Sequence, residues 1–290
     1  MSNADQDAAL SLVLDRLAEA QERDGDDMPV SALTVEETRC IAADIGCSVR
    51  QVEMAALVRH IFLERYRRNL GTVGWDGQVQ LLQSTVAVVG AGGLGGWVIE
   101  VLARMGVGRL IVIDGDRFEE NNLNRQIGCT EETLGQLKAD CLRERVSLIN
   151  GAVDVEAIAV WLTAENATDL LHGAQVVIDA LDTLPARMIL FRAARTMGVP
   201  MVHGAIGGYT GQVMTILPGD SGLEALYGSV PRPERGVEVE QGNPSATPMM
   251  VSAWQAQEVV KLLTGQGELL RNRMLLMDAR FGQVTEVRLG

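Results

Sequence analysis

Residues that bind nucleic acids or membranes are scarce in this sequence. Aromatic side chains make up only 4% of the 290 residues, and 25 basic residues stand against 38 acidic ones, which gives a formal net charge of −13. An acidic chain repels phosphate backbones, and single-stranded nucleic acids are usually held by aromatic stacking. We therefore expect neither general nucleic-acid binding nor attachment to anionic membranes, although a local basic pocket can still hold one nucleotide.

Long apolar runs and cysteine pairs are absent as well. No uninterrupted apolar run approaches the roughly 20 residues of a membrane-spanning helix, and the polar segment Met1–Asp7 lacks the features of a secretory signal. The four cysteines form no Cys-x-x-Cys pair; they are Cys40, Cys47, Cys129 and Cys141. This pattern favours reduced thiols in a cytoplasmic protein.

The N-terminal part of the chain, residues 1–63, has helical spacing of its apolar residues and is predicted to be a helical extension. Thr34 and Glu37 have the spacing of a capping box, and Gly46-Cys47-Ser48 interrupts the apolar pattern. The outline is either that of a DNA-binding helix–turn–helix or that of a helical packing or docking module. The acidic charge of the segment and of the whole chain favours the second interpretation.

From Ser84 onward, short apolar runs alternate with helical segments, which predicts a second domain over residues 64–290. Because the runs show no polar alternation, they indicate strands buried on both faces. We expect an α/β, Rossmann-like, doubly wound and mostly parallel sheet that continues into a mixed or antiparallel C-terminal part. The predicted strands are 85–89, 110–113, 153–158, 176–179, 200–203, 212–217 and two runs within 274–289, with a helix over 251–263 and a long crossover-type loop over 218–248.

A glycine run, Gly90-Ala91-Gly92-Gly93-Leu94-Gly95, lies between a predicted strand and a predicted helix. Such a turn lets the backbone approach a phosphate, and the helix N-terminus supplies N–H donors. Asp114, at the end of the next strand, is placed to bind ribose hydroxyls. By itself this pattern predicts nucleotide binding and fits an NAD-dependent oxidoreductase as readily as an ATP-using enzyme.

Charged and polar residues beyond the glycine run favour ATP. The glycine run is preceded by the segment Arg65–Asn69. It is followed by Asp116, the segment Asn122–Gln126, Lys138 and Asp182. An enzyme that splits ATP must neutralise a triphosphate and supply carboxylate oxygens to Mg²⁺, whereas a dehydrogenase needs neither. An oxidoreductase would also need a hydride-transfer site in the second half of the chain, and none can be assembled there.

From about Glu64 to the C-terminus, the sequence resembles the ThiF/MoeB/HesA family, the bacterial relatives of ubiquitin-activating enzymes. The resemblance rests on ordered motifs: Arg65-Tyr66-x-Arg68, the glycine run, Asp114-x-Asp116, Asn122-Leu123-x-Arg125-Gln126, Gly135-Gln136-x-Lys138, Asp179-x-x-Asp182 and the late helix Gln255–Leu263. Two positions depart from the family pattern, since Asn69 replaces the usual Gln and Thr183 the usual Asn.

The resemblance implies an ATP and Mg²⁺ site. Asp114 would hold the ribose, Arg125 and Lys138 would lower the cost of charge building at the α-phosphate, Asp182 would hold Mg²⁺ or orient the reacting groups, and Arg68 would act from the neighbouring subunit of a homodimer. The implied catalytic residues are thus Arg68, Arg125, Lys138 and Asp182, and the implied nucleotide-binding residues are Gly90, Gly92, Gly93, Gly95, Asp114, Asp116, Asn122 and Gln126.

The implied reaction has no side-chain nucleophile. The C-terminal glycine carboxylate of a ubiquitin-like sulfur carrier ending in Gly-Gly would attack the α-phosphate, giving an acyl-adenylate and pyrophosphate, for molybdopterin, tungstopterin or thiamine synthesis. Other readings stay open: a relative that adenylates a tRNA base or a peptide C-terminus, or a non-catalytic nucleotide-binding scaffold that binds partners through its N-terminal helices.

Many members of the family hold a structural zinc through two Cys-x-x-Cys pairs. This chain has no cysteine after Cys141, so we predict no zinc. Residues 241–247 also lack the loop cysteine with which relatives form a covalent link to the carrier. The resemblance therefore implies a separate sulfur donor that attacks the acyl-adenylate.

Overall fold

One sheet of eight strands organises the larger part of the chain. The computed structural model describes residues 3–23, 32–228 and 241–289. The strands are β1 Thr85–Val89, β2 Arg109–Ile113, β3 Asp154–Ile158, β4 Val176–Asp179, β5 Met201–Gly207, β6 Thr210–Ile216, β7 Arg273–Asp278 and β8 Gln283–Arg288. Their order in the sheet is β3-β2-β1-β4-β5-β6-β7-β8, with parallel pairing from β3 to β5 and antiparallel pairing from β5 to β8. The predicted Rossmann-like sheet with an antiparallel continuation is confirmed.

The described helices cover both faces of this sheet or belong to the N-terminal extension. The helices are α1 Asn3–Arg23, α2 Val35–Ile45, α3 Val49–Val58, α4 Leu70–Gln83, α5 Gly95–Met105, α6 Lys138–Ile149, α7 Ala167–Leu170, α8 Leu184–Met197, α9 Leu223–Tyr227 and α10 Ala246–Thr264. Val86 and Val88 of β1 belong to the core under α5, α6 and α10, whereas Ala87 and Val89 belong to the core under α7 and α8. None of these described helices is both long and apolar enough to cross a bilayer.

The segment 218–248 is not a loop throughout, which corrects the sequence prediction. Leu223 is buried in the short helix α9, and α10 begins at Ala246 rather than near residue 251. Helix α9 is too short to show a helical period in its apolar residues. Helix α10 includes Pro248 because this residue lies in the first turn, where N–H groups have no partner within the helix. Residues 229–240 of this segment lie outside the described part of the chain.

The N-terminal helices α1–α3 pack on one another, and α3 joins them to the α/β domain through α4. Thr34 and Glu37 form the predicted capping box at the start of α2. Arg50 of α3 donates to the carbonyl of Gly108 and pairs with Asp154 at 2.7 Å. The apolar core of the extension includes Leu82 of α4, so one continuous core crosses the predicted domain boundary at residue 63.

A buried polar contact joins the extension to the sheet domain. The Tyr66 hydroxyl donates to Oε2 of Glu53 in α3 at 3.0 Å and accepts from Nδ2 of Asn150 at 2.8 Å. Tyr66 is fully buried, and Glu53 is 1% exposed. Buried polar groups need such partners, so this contact helps to set the position of α3 and of the segment that carries Arg68.

Candidate functional site

The carboxyl ends of β1, β2 and β4 open into a cavity of about 180 Å³. Open parallel sheets bind their ligands beyond the carboxyl ends of the strands, at the point where the strand order reverses. In this sheet the order reverses at β1. Nine of the twelve site residues predicted from the sequence line this cavity: Gly90, Gly92, Gly93, Asp114, Asp116, Arg125, Gln126, Lys138 and Asp182. Residues that are up to 92 positions apart in the sequence therefore meet around one space.

The turn between β1 and α5 has room only for glycine at two positions. Gly90 has φ of +93°, and a Cβ there would lie 2.5 Å from the carbonyl oxygen of Ala180. A Cβ at Gly95 would lie 1.7 Å from the carbonyl oxygen of Gly90. The helix therefore packs directly on the end of the strand, and α5 starts without a side-chain cap. Within the first turn, the N–H of Gly96 already donates to the carbonyl of Gly92 at 3.0 Å, so only the other first-turn N–H groups are open to an anion in the cavity.

Asp114 ties the glycine turn to the end of β2. Its Oδ2 accepts from the backbone N–H of Ala91 at 2.6 Å, and its Oδ1 accepts from the backbone N–H of Asp116 at 2.8 Å. A carboxylate oxygen can accept a second hydrogen bond. Asp114 can therefore hold ribose hydroxyls while it keeps the two loops together.

Lys138 is a buried cation paired with a carboxylate at the cavity wall. It is 6% exposed, and its Nζ donates to Oδ2 of Asp116 at 2.6 Å. Burial raises the pKa of Asp116, but the hydrogen bond and charge of Lys138, together with the backbone N–H of Arg117, outweigh burial and hold the pKa below the usual carboxyl range. The ion pair holds the ammonium group of Lys138 at the N-terminus of α6, where it would contact a bound phosphate.

Arg125 and Gln126 lie across the glycine turn. A Cβ at Gly93 would be 3.8 Å from the aliphatic stem of Arg125, and a Cβ at Gly92 would be 3.5 Å from Nε2 of Gln126. The guanidinium of Arg125 donates to the carbonyl of Asn121 and to Oδ1 of Asn124, both at 2.8 Å. A flexible arginine so close to the turn can reach phosphates bound there.

Asp182 follows β4 on the opposite side of the cavity. Its side chain is exposed, and among the described residues it has no hydrogen-bond or ion-pair partner. Asp114 and Asp116, the other two carboxylates at the cavity, are already engaged. Mg²⁺ is commonly bound by one or two carboxylates together with substrate phosphates. The donor set therefore fits a magnesium ion that arrives with a nucleotide.

No group of three or more His, Cys, Asp or Glu side chains in the described residues is arranged to hold a metal by itself. The absence of zinc stays a prediction from the sequence. Cys129 and Cys141 are buried beside Phe118, and burial raises the pKa of both thiols. Their position indicates packing rather than nucleophilic chemistry.

A network of buried polar and charged side chains holds the loop that carries Asp182. Oδ2 of Asp179 lies 2.6 Å from Nδ1 of His203, and Arg187 donates to the carbonyls of Leu181 and Gly204. Burial raises the pKa of Asp179, but Arg187 and His203 outweigh burial and lower it, whereas burial lowers the pKa of His203. The arrangement is therefore a carboxylate facing a neutral imidazole and a guanidinium, with the Asp182 loop held by Arg187.

Three predicted residues do not line the cavity. Gly95 lies behind it in the first turn of α5, and the buried side chain of Asn122 accepts from the N–H of Glu119 and so shapes the turn before Arg125. Arg68 lies in a separate surface cleft with Phe62 and other residues. That location is compatible with a role toward another subunit. The roles predicted for all twelve residues stay predictions.

Other residues at the cavity were not predicted. Val160, Trp161 and Leu162 of the loop after β3 line it, and so does Asn243, whose backbone carbonyl accepts from Nδ2 of Asn124 at 3.0 Å. The loop after β3 could have been found, because the carboxyl ends of parallel strands lie at one edge of a sheet. No sequence signal indicated that residue 243 returns to this edge.

Sequence comparison finds a family and relatives of known description. A sequence model of the ThiF family matches residues 66–290. The SAMP-activating enzyme E1 of Haloferax volcanii is 38% identical over 220 residues, which cover 75% of this chain and 82% of that protein. The sulfur carrier protein adenylyltransferase of Thermus thermophilus is 39% identical over 226 residues, which cover 75% and 83%.

Solved structures share the fold at lower identity. A crystal structure of selenomethionine PaaA matches 96% of this chain and 81% of its own, with a TM-score of 0.64 and 20% identity. A crystal structure of E. coli MccB with ATP matches 78% and 72%, with a TM-score of 0.69 and 19% identity. At these identities the likeness establishes the architecture alone.

Proposed function

The chain belongs to the ThiF family, and from this premise we propose that it is an ATP-dependent adenylyltransferase that activates the C-terminal glycine carboxylate of a ubiquitin-like sulfur carrier. Two relatives, each covered over more than four-fifths of its length, carry names that describe a SAMP-activating enzyme and a sulfur carrier protein adenylyltransferase. The observation that carries the proposal is the cavity in which Arg125, Lys138 and Asp182 surround the glycine turn.

The proposal gives partners in the cavity to the phosphates and to the ribose of the nucleotide. The N–H groups at the start of α5 and the side chains of Arg125 and Lys138 bind the phosphates, and Asp114 binds the ribose. Asp182 would hold Mg²⁺, which would supply positive charge that neutralises the phosphates. Preorganised charges of this kind usually supply the largest part of catalysis in such a site.

The chemical step needs no nucleophile from this chain. A carboxylate oxygen of the carrier attacks the α-phosphorus, the new carboxyl–phosphate bond forms, and the bond between the α-phosphorus and the pyrophosphate oxygen breaks. Arg125 and Lys138 stabilise the negative charge that builds on the α-phosphate oxygens. The sulfur of a separate donor then attacks the carbonyl carbon of the acyl-adenylate and AMP leaves, in molybdopterin, tungstopterin or thiamine synthesis.

The decisive assay is ATP–pyrophosphate exchange with candidate carriers ending in Gly-Gly. Lys138→Ala and Asp182→Asn are expected to lower exchange by at least about 100-fold, the order seen when one stabilising charge is lost. Arg143→Ala and Asp169→Asn change the same charges on exposed helix surfaces and are expected to leave it unchanged. Nucleotide binding without exchange for any carrier would instead indicate a scaffold, and binding of NAD in place of ATP an oxidoreductase.

The contribution of Arg68 from a second subunit is part of the proposal and has its own test. Arg68→Ala and Lys138→Ala are each expected to be inactive. Mixing the two variants under conditions that exchange subunits should restore part of the activity, because one site of each mixed dimer then has both cations. If no activity returns although the variants do form mixed dimers, Arg68 does not act across an interface.

A further inference from the structure

Trp161 combines an exposed aromatic ring with a position at the nucleotide cavity. The side chain is 66% exposed, although it lines the same cavity as the glycine turn and Asp114. Its ring lies directly on Gly115: a Cβ at that position would be 2.9 Å from Cγ, Cδ1 and Cδ2 of the indole. The tryptophan therefore stands beside the residue that follows Asp114, the proposed ribose ligand.

The exposure of Trp161 is not the result of a loose loop. Asn166 closes the loop, since its Nδ2 donates to the carbonyl of Trp161 at 2.9 Å and its Oδ1 accepts from the N–H of Thr163 at 2.7 Å. The next side chain, Leu162, packs against the core under α7 and α8. A large apolar ring is thus held at a fixed place with much of its surface open to water.

In the proposed function the phosphates lie at the turn of Gly92 and Gly93, and the ribose lies at Asp114. Gly115, which follows Asp114, and the side chains of Val160 and Trp161 line the same cavity. An aromatic ring beside the ribose position offers a surface on which an aromatic base can stack.

We propose that Trp161 is a specificity-determining residue that stacks on the base of the bound nucleotide and favours a purine over a pyrimidine. The inference rests on the proposed function, because it assumes that a nucleotide occupies the cavity. A purine overlaps an indole over two rings and a pyrimidine over one, so the loss of the indole weakens purine nucleotides more.

Calorimetric titrations of the whole protein with ATP, CTP and inorganic tripolyphosphate test this. Trp161→Ala is expected to weaken ATP binding about tenfold, the order of one base–aromatic stack, and CTP binding less. Tripolyphosphate has no base, so its affinity should not change. Trp161→Phe should keep most of the ATP affinity, and Trp254→Ala, which removes a partly exposed tryptophan outside the cavity, should change none of the three affinities.

Gly115→Ala gives an independent check, because the added methyl group must displace the indole. It should weaken ATP binding in the wild-type background and have little further effect in Trp161→Ala. Unchanged ATP binding by Trp161→Ala, or an equal loss for tripolyphosphate, would overturn the inference while leaving the proposed function intact. If the wild-type protein binds neither ATP nor tripolyphosphate, the proposed function is overturned and this inference with it.

Discussion

Gly95→Ala puts the packing of α5 on β1 to a direct test, because two physical effects of the change have opposite signs. Alanine stabilises an ordinary helical position by about 1 kcal/mol relative to glycine. At Gly95, however, the new Cβ would lie 1.7 Å from the carbonyl oxygen of Gly90 and 3.2 Å from Cβ of Ala180. Ordinary contact begins near 3.4 Å, and the obstacle is backbone that no rotamer change can move.

The steric effect is expected to exceed the helix propensity. Helix α5 and the glycine turn must separate by about 1.5 Å, and such overpacking costs 1–3 kcal/mol or more even where side chains can adapt. We expect a net loss of about 2 kcal/mol in the free energy of unfolding, which for a protein of this size lowers Tm by about 3 °C. The distorted turn should also weaken the binding of tripolyphosphate.

The matched control is Gly71→Ala in α4. Gly71 has no heavy atom within 4 Å of an added Cβ and is not in the left-handed region, so this variant should be as stable as the wild type or slightly more. Thermal unfolding followed by circular dichroism compares the two variants. If Gly95→Ala melts at or above the wild-type temperature, the close approach of α5 to Gly90 is refuted.

Two further predictions concern buried polar contacts. Tyr66→Phe removes the hydroxyl that donates to the buried Glu53 and should cost about 1–3 kcal/mol in urea denaturation, whereas Tyr209→Phe, at a side chain 57% exposed, should cost nothing measurable; equal stability of both would contradict the anchoring role. Asp116→Asn leaves the ammonium of Lys138 without its carboxylate and should be less stable than the wild type at pH 7. Because the pKa of Asp116 is lowered in the folded state, its contribution to stability is present above the unfolded pKa of about 4 and is lost as the pH falls through the folded pKa. The free energies of unfolding of the two proteins should therefore converge in acid. A difference that stays constant with pH would speak against the ion pair.

The sequence predicted β1, β2 and β4 within about one residue because each consists mostly of a run of apolar residues. The prediction of β3 was equally close, although this edge strand contains Asp154 and Glu156. β1 and β4 occupy the predicted residues, and β2 and β3 differ by one residue at the start. β5 and β6 begin or end differently from the prediction, since Gly204 and Gly207 interrupt the apolar pattern of β5, and Thr210 and Gly211 precede that of β6. Pairing with neighbouring strands extends both past those residues, and such pairing is not visible in local sequence.

The site was predictable where function requires a recognisable residue at a fixed spacing from a strand or helix. Gly90, Asp114 and Lys138 stand at the ends of elements, so their neighbourhood followed from the topology of a parallel sheet. His203 gave no such signal: its ring meets Asp179 only because β5 pairs with β4 in a register that places the two residues side by side.

Local chain properties alone thus determined the strand and helix order, the glycine turn and the charges required by a nucleotide, because each depends on neighbours a few residues apart. The tertiary structure decided which loops share the cavity. Trp161 stands on Gly115, Asn243 returns beside Asn124, and Arg187 holds the loop of Asp182. These contacts join distant segments through packing and strand register. Neither packing nor register can be derived from the local sequence alone.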